Sequence, residues 1–279
     1  MKKRTKLIAA AAALPAAIAG LAAYLTAGRR GNASWSRLRG WRYAHRGYHN
    51  KPLVPENSIP AFAAAIEHGW GAELDVHLLK DGTLAVFHDS DLMRCTGTSG
   101  IIEDLTLDEL RELRLEGTDK HVPLFDEVLE LFEGRAPLII ELKPWNGNHR
   151  ALARAVCRRL DTYRGDFCIE SFDPRALAAV RRLRPEICRG QLAADFMGGS
   201  DEVKLPGYQK FLLSNLLMNF LSRPDFIAYR FEDRRKAVLR LLVSGGVQEV
   251  SWTIRSKEDL LKAEEDGSIP IFECFDPEN

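Results

Sequence analysis

The stretch AELDVHL, residues 72–78, is short, largely apolar and carries two carboxylates two positions apart. Side chains alternate along a strand, so Glu73 and Asp75 fall on one face and Leu74 and Val76 on the other. An acidic pair of this kind can equally be a salt-bridged structural feature, and its surroundings decide between the readings. Working outward, comparable runs recur at 42–46, 137–142, 167–172, 188–193, 226–231, 249–254 and 269–275. Between most of them lie segments of helical period, at 59–67, 125–132, 151–161, 174–184, 234–243 and 257–265. This alternation is that of βα units around a parallel sheet. Eight units in roughly 240 residues predict an α/β chain folded as a (β/α)8 barrel, with an open doubly wound sheet as the alternative.

One hairpin is extra. Lys80-Asp81-Gly82-Thr83 signals a turn, and the apolar run 84–87 after it delivers His88 and Asp89 beside strand two. Residues 91–122 read as loop and short helix, a small insertion after strand 2 on the face where barrel loops carry function.

The chain has 279 residues, and its 39 basic side chains match its 39 acidic ones, so it can bury a large core without any charge bias toward a partner. Basic residues are dispersed and form no stripe, which argues against nucleic acid. The N-terminus is different. Lys2, Lys3, Arg4 and Lys6 precede an uncharged segment, 7–27, that could cross roughly 30 Å of hydrocarbon. Its length and the following Arg29 and Arg30 favour an uncleaved membrane anchor over a signal peptide leading to secretion. Residues 1–40 are therefore read as an N-terminal hydrophobic helix with a polar connector, and 41–279 as the barrel domain. Five scattered cysteines, without a CxxC pair, indicate neither a zinc site nor a full disulfide framework.

Polar residues at the carboxyl ends of barrel strands point into a shared cup. Strand one ends in His45-Arg46-Gly47, strand two contains Glu73 and Asp75, and strand three ends in Glu141-Leu142-Lys143. Three carboxylates in one cup repel one another unless a cation sits among them, and oxygen ligands suit Mg²⁺ or Ca²⁺. His45 and His88 each follow a strand of the cup and can divide acid and base roles; the other five histidines read as structural. Arg46 and Lys143 would hold an anionic substrate, although a salt bridge to Glu56 is the competing role for Arg46.

Together these motifs resemble the glycerophosphodiester phosphodiesterase family. The resemblance runs through His45-Arg46-Gly47, Pro55-Glu56-Asn57-Ser58, Glu73-Leu74-Asp75-Val76, Lys80-Asp81-Gly82, His88-Asp89, the run from Pro123 to Leu129, Glu141-Leu142-Lys143, Ser171-Phe172 and Ser251-Trp252-Thr253-Ile254. It implies a TIM barrel, one divalent cation on Glu73, Asp75 and Glu141, His45 and His88 as the acid/base pair, Arg46 and Lys143 on the phosphate, and Trp252 lining the pocket near the glycerol. The implied reaction is metal-dependent hydrolysis of a glycerophosphodiester to glycerol 3-phosphate and an alcohol. A lysophospholipase D-like or phosphoinositide-cleaving relative of the same barrel, acting on a lysophospholipid in the first case, is the alternative enzyme. A membrane-tethered binding protein that has lost catalysis is the non-enzymatic reading, and intact charged motifs argue against it.

Two departures from the family pattern stand out. The family usually ends its last strand in a Thr-Asp-x-Pro-like turn. Here Ile271-Phe272-Glu273-Cys274-Phe275-Asp276-Pro277 leaves no room for a final helix, and Glu273 could intrude on the site. Residues 208–226 are also unusually apolar, as expected of a barrel helix packed on the sheet or of a segment lying on a bilayer.

Overall fold

The structure, a computed structural model, describes residues 15–51, 53–198 and 205–278. Among the described residues nine strands form one sheet: β1 (Tyr43–Ala44), β2 (Gly71–Leu78), β3 (Leu84–Val86), β4 (Leu138–Leu142), β5 (Phe167–Ser171), β6 (Arg189–Ala193), β7 (Phe226–Arg230), β8 (Gln248–Ile254) and β9 (Ile269–Phe272). Eight of them are parallel, in the order β1-β9-β8-β7-β6-β5-β4-β2, and pairing of β1 with β2 closes the barrel. Strand β3 stands outside this ring as an antiparallel hairpin partner of β2. The closed parallel barrel with helices is the TIM-barrel architecture.

The N-terminal part holds helices α1 (residues 15–26) and α2 (Trp35–Leu38). Helix α3 (Ile59–Glu67) leads into β2, and α4 (Met93–Thr96), α5 (Leu107–Arg111) and α6 (Phe125–Phe132) lie between β3 and β4. The outer layer continues with α7 (His149–Leu160), α8 (Pro174–Leu183), α9 (Gly207–Ser214), α10 (Asn219–Ser222), α11 (Ala237–Ser244) and α12 (Lys257–Glu265). Apolar faces of α3, α6, α7 and α8 and outward residues of β2 and β4, such as Leu74, Val76 and Ile140, share one buried cluster. A second cluster fills the barrel floor, where Ile139, Cys168, Cys188, Phe226 and Ile271 meet. Gly190 permits this floor. It pairs with Phe226, and a Cβ on it would stand 2.1 Å from the Phe226 ring.

The floor is capped by the connector. Trp35 stacks on Phe226 with centroids 4.7 Å apart, Leu38 is buried, and the Tyr43 hydroxyl donates to the Leu38 carbonyl at 2.7 Å. Arg29 pairs with Asp225 at 2.6 Å and donates to the Pro185 carbonyl, both at the amino ends of strands. No helix follows β9 among the described residues; Trp70, Phe272 and Phe275 pack ring against ring there.

The expected membrane anchor is overturned. Among the described residues no helix is long and apolar enough to cross a membrane. Of the segment read as spanning, residues 7–14 lie outside the described residues. The described helix 15–26 is about 18 Å long at helical rise, short of a bilayer's hydrocarbon. Its end is tied to the barrel instead: Arg223 donates to the Tyr24 carbonyl at 3.0 Å and Asn219 to the Thr26 carbonyl at 3.1 Å. The apolar segment 208–226 is not one helix, because the chain turns through Leu216 at a φ of 56° and divides into α9 and α10.

Candidate active site

The cup follows from register. Asp75 pairs with Glu141 between β2 and β4, and Glu141 with Glu170 between β4 and β5. Alternation brings Glu73 onto the same inward face as Asp75. Glu73, Asp75 and Glu141 are all buried, and their oxygens lie within 4.8 Å of one another.

Strand β1 contributes a turn. The backbone runs through φ values of 56° at Arg46 and 78° at Gly47, and a Cβ on Gly47 would meet the Ala61 backbone at 2.8 Å, so the glycine is required there. This turn aims the Arg46 N–H at Glu73 Oε2, 3.1 Å away. The Asn57 side chain, in a loop held by its N–H to the Arg46 carbonyl at 2.9 Å, donates to Asp75 Oδ2 at 2.8 Å.

Both histidines are oriented by carboxylates. His45 Nδ1 lies 2.5 Å from Glu273 Oε2, and His88 Nδ1 lies 2.6 Å from Asp89 Oδ1. A carboxylate can only accept, so Nδ1 carries the proton in each ring and Nε2 is left as the acceptor. His45 Nε2 is 3.9 Å from Glu73 Oε2. Burial, helped by the Arg46 charge, lowers His45 to about 4. Burial and then Lys143 also lower His88. Burial alone would raise Glu273, but the hydrogen bond from His45, with the His49 ring nearby at 3.7 Å, holds it well below the usual carboxylate range.

Lys143 Nζ stands 3.3 Å from Asp75 Oδ1 and 3.2 Å from Glu141 Oε1. Burial alone would lower the ammonium, but Glu141 and Asp75 outweigh it and raise it. Arg46 divides its guanidinium: Nη1 is 2.8 Å from Glu56, as the competing reading anticipated, while Nε faces Asp75 at 3.6 Å. Arg94 and Lys51 complete the pairing of Glu56.

The donor set suits a hard cation. Burial, followed by the charges of Asp75, Glu141 and Glu170, raises Glu73 well above the carboxylate range. Asp75 Oδ1 is buried without a hydrogen-bond partner, since Lys143 approaches it outside bonding geometry. An unpartnered oxygen among mutually repelling carboxylates is a ligand that a hard divalent cation takes.

The structure thus brings His45, His88, Arg46, Lys143 and the three carboxylates together. Trp252 stands apart, its ring edge-on to Phe172 at 5.4 Å and its Nε1 donating to the Ala228 carbonyl at 3.1 Å. Sequence reasoning left out Glu170, buried beside Glu141, although its inward position follows from the alternation of β5. It also left Asp89 and Asn57 without roles, though both lie in quoted motifs.

Charge gathered at the carboxyl ends of parallel strands is the layout of a barrel enzyme. The chain belongs to the glycerophosphoryl diester phosphodiesterase family, whose sequence profile matches residues 45–272, and by that membership it is a phosphoric diester hydrolase. A glycerophosphodiester phosphodiesterase of Caldanaerobacter subterraneus subsp. tengcongensis is 30% identical over 243 residues, covering 81% of this chain and 91% of that one. The structure of an Oleispira antarctica phosphodiesterase in complex with the product sn-glycerol-3-phosphate has a TM-score of 0.70 at 23% identity, over 88% of this chain and 95% of the other. That of a glycerophosphodiester phosphodiesterase from Thermotoga maritima gives 0.62 at 29% identity, over 82% and 92%.

Proposed function

We propose that the chain hydrolyses glycerophosphodiesters to glycerol 3-phosphate and an alcohol, with His45 and His88 as the acid/base pair. The observation that carries this is the matched pair of imidazoles, each with Nδ1 on a carboxylate, flanking one acidic cup. Family membership supports the substrate class.

In the first half-reaction the glycerol C2 hydroxyl gives its proton to Nε2 of one imidazole and its oxygen attacks phosphorus. The P–O bond to the alcohol breaks, and the alkoxide takes a proton from the other imidazolium. Water then opens the cyclic phosphate in the reverse sense, restoring both rings. Glu273 and Asp89 hold the rings in the tautomer each transfer needs and stabilise the imidazolium that forms. Arg46 and Lys143 bind the phosphoryl oxygens. A divalent cation on Glu73, Asp75 and Glu141 would supply charge neutralisation at those oxygens.

Incubation with glycerophosphocholine, with and without EDTA, tests the reading through release of choline and glycerol 3-phosphate. Turnover lost in EDTA and restored by Mg²⁺ or Ca²⁺ is the expected result. Absence of turnover across glycerophosphodiesters of several headgroups would overturn it.

A further inference from the structure

The turn after β1 and the tail after β9 meet beside the cup. His49, held in that turn by its N–H to the Gly47 carbonyl at 3.0 Å, is buried, and its Nε2 has no hydrogen-bond partner. The atom lies 3.7 Å from Glu273 Oε2, beyond hydrogen-bonding reach. Glu273 is fixed from its other side. Arg255 donates to Oε1 at 2.8 Å, which leaves Oε2 between the His45 and His49 rings. Cys274 comes next in the chain, and consecutive side chains of an extended strand face opposite ways. Its φ of 66° breaks that alternation and brings Sγ to the same group: an imidazole nitrogen of His49, a Glu273 oxygen and the Cys274 sulfur lie within 4.8 Å of one another.

A buried imidazole nitrogen without a partner calls for a ligand, and the spacing favours an ion over a hydrogen bond. Ligands on a tetrahedral Zn²⁺, with bonds of about 2.0–2.3 Å, stand roughly 3.3–3.6 Å apart, close to the 3.7 Å between His49 Nε2 and Glu273 Oε2. One further described group, Glu56, Cys95 and Glu116, has ligand spacing, but Arg46, Arg94 and Lys51 already pair with its carboxylates. The donors also differ in kind from those of the cup. Three carboxylates suit Mg²⁺ or Ca²⁺, whereas nitrogen, oxygen and thiolate together suit Zn²⁺. Cys274 is exposed, so an ion can enter from solvent and keep water as its fourth ligand.

We propose that His49, Glu273 and Cys274 form a Zn²⁺ site, separate from the cup, through which Zn²⁺ inhibits the enzyme. On binding, the Cys274 thiol releases its proton to solvent, and His49 keeps its proton on Nδ1. Inhibition rests on the acid/base role given to His45 above; binding does not. Glu273 Oε2 is the acceptor for His45 Nδ1, so an ion on that oxygen competes with the hydrogen bond that fixes the tautomer and orientation of the ring. Sequence spacing conceals the site, because its ligands stand at opposite ends of the barrel domain and meet only where β9 pairs with β1.

The test titrates Co²⁺, a spectroscopic stand-in for Zn²⁺, into the reduced full chain held in excess Mg²⁺. A near-ultraviolet thiolate-to-cobalt charge-transfer band that saturates at one equivalent is expected, and Zn²⁺, whose d shell is full, should bleach it. Cys274→Ser should abolish the band, and His49→Gln should weaken Co²⁺ binding at least about tenfold, with circular dichroism unchanged in both. No band in the wild type, or a band kept at full strength in Cys274→Ser, overturns the site. In the same buffer Zn²⁺ should lower kcat on glycerophosphocholine about tenfold in the wild type and less than about twofold in Cys274→Ser. Equal inhibition of the two proteins overturns the inhibitory role. If no diester is hydrolysed, that role falls with the reaction, and the cobalt band alone decides the site.

Discussion

A carboxylate behind each imidazole gives His45 and His88 similar environments. His88→Ala should lower kcat by about 10²–10⁴-fold while cation affinity, read by calorimetry, stays near wild type. Glu273→Gln keeps a hydrogen-bond acceptor for His45 but removes the charge that stabilises its imidazolium, so kcat should fall with little change in KM. The cup also makes stability depend on pH. Burial, opposed by Lys143 and reinforced by Asp75, brings Glu141 up to about 7 from an ordinary 4.5. The folded ion-free chain then keeps a proton that the unfolded chain releases, so stability falls as pH climbs from about 4.5 through about 7. A cation takes the proton's place. Mg²⁺ or Ca²⁺ should therefore raise Tm more at about pH 8 than at about pH 5, and an equal increment at both would contradict the cup as its site. Glu73 and Asp75 were legible because strand alternation alone puts them on one face, and Glu141 because it stands near the carboxyl end of its own strand. The partnership of Glu273 with His45 was not, since it depends on which strands are neighbours, and β9 meets β1 only when the barrel closes.

Elements were readable where one period dominated. Strands β4 to β8 begin and end within a residue or two of expectation; β4 and β7 show as mainly apolar runs, while β6 and β8 mix apolar with polar residues. The apolar segment before β7 was harder: Leu216 is buried while Tyr208 and Phe211 are exposed, so composition pointed to one packed face where the chain makes two short helices. Gly190 shows what packing adds to pattern. Gly190→Ala would put a methyl into the Phe226 ring, and the displaced ring would disturb the floor; a loss of about 1–3 kcal/mol is expected by denaturant unfolding. The phosphodiester chemistry, at the other end of the strands, should survive under conditions where the variant remains folded.

At the scale of the whole molecule, the amino end of the barrel is covered by a segment that lies far from it in sequence. Residues 28–40 looked polar, yet Leu38 is 1% exposed and Trp35 lies on Phe226. Leu38→Ala should cost about 2–5 kcal/mol, measured by urea unfolding, with KM for glycerophosphocholine unchanged. Charge neutrality and dispersed cysteines bounded the class of protein but could not reveal this plug, whose value lies in contacts nearly two hundred residues away. Because Arg29 and Trp35 are moored at the amino ends of the strands, the two ends of the barrel are unequal. Beads grafted through residues ahead of this plug would grip the enzyme by its sealed base, leaving the opening turned toward the liquid and its kinetics those of the free protein.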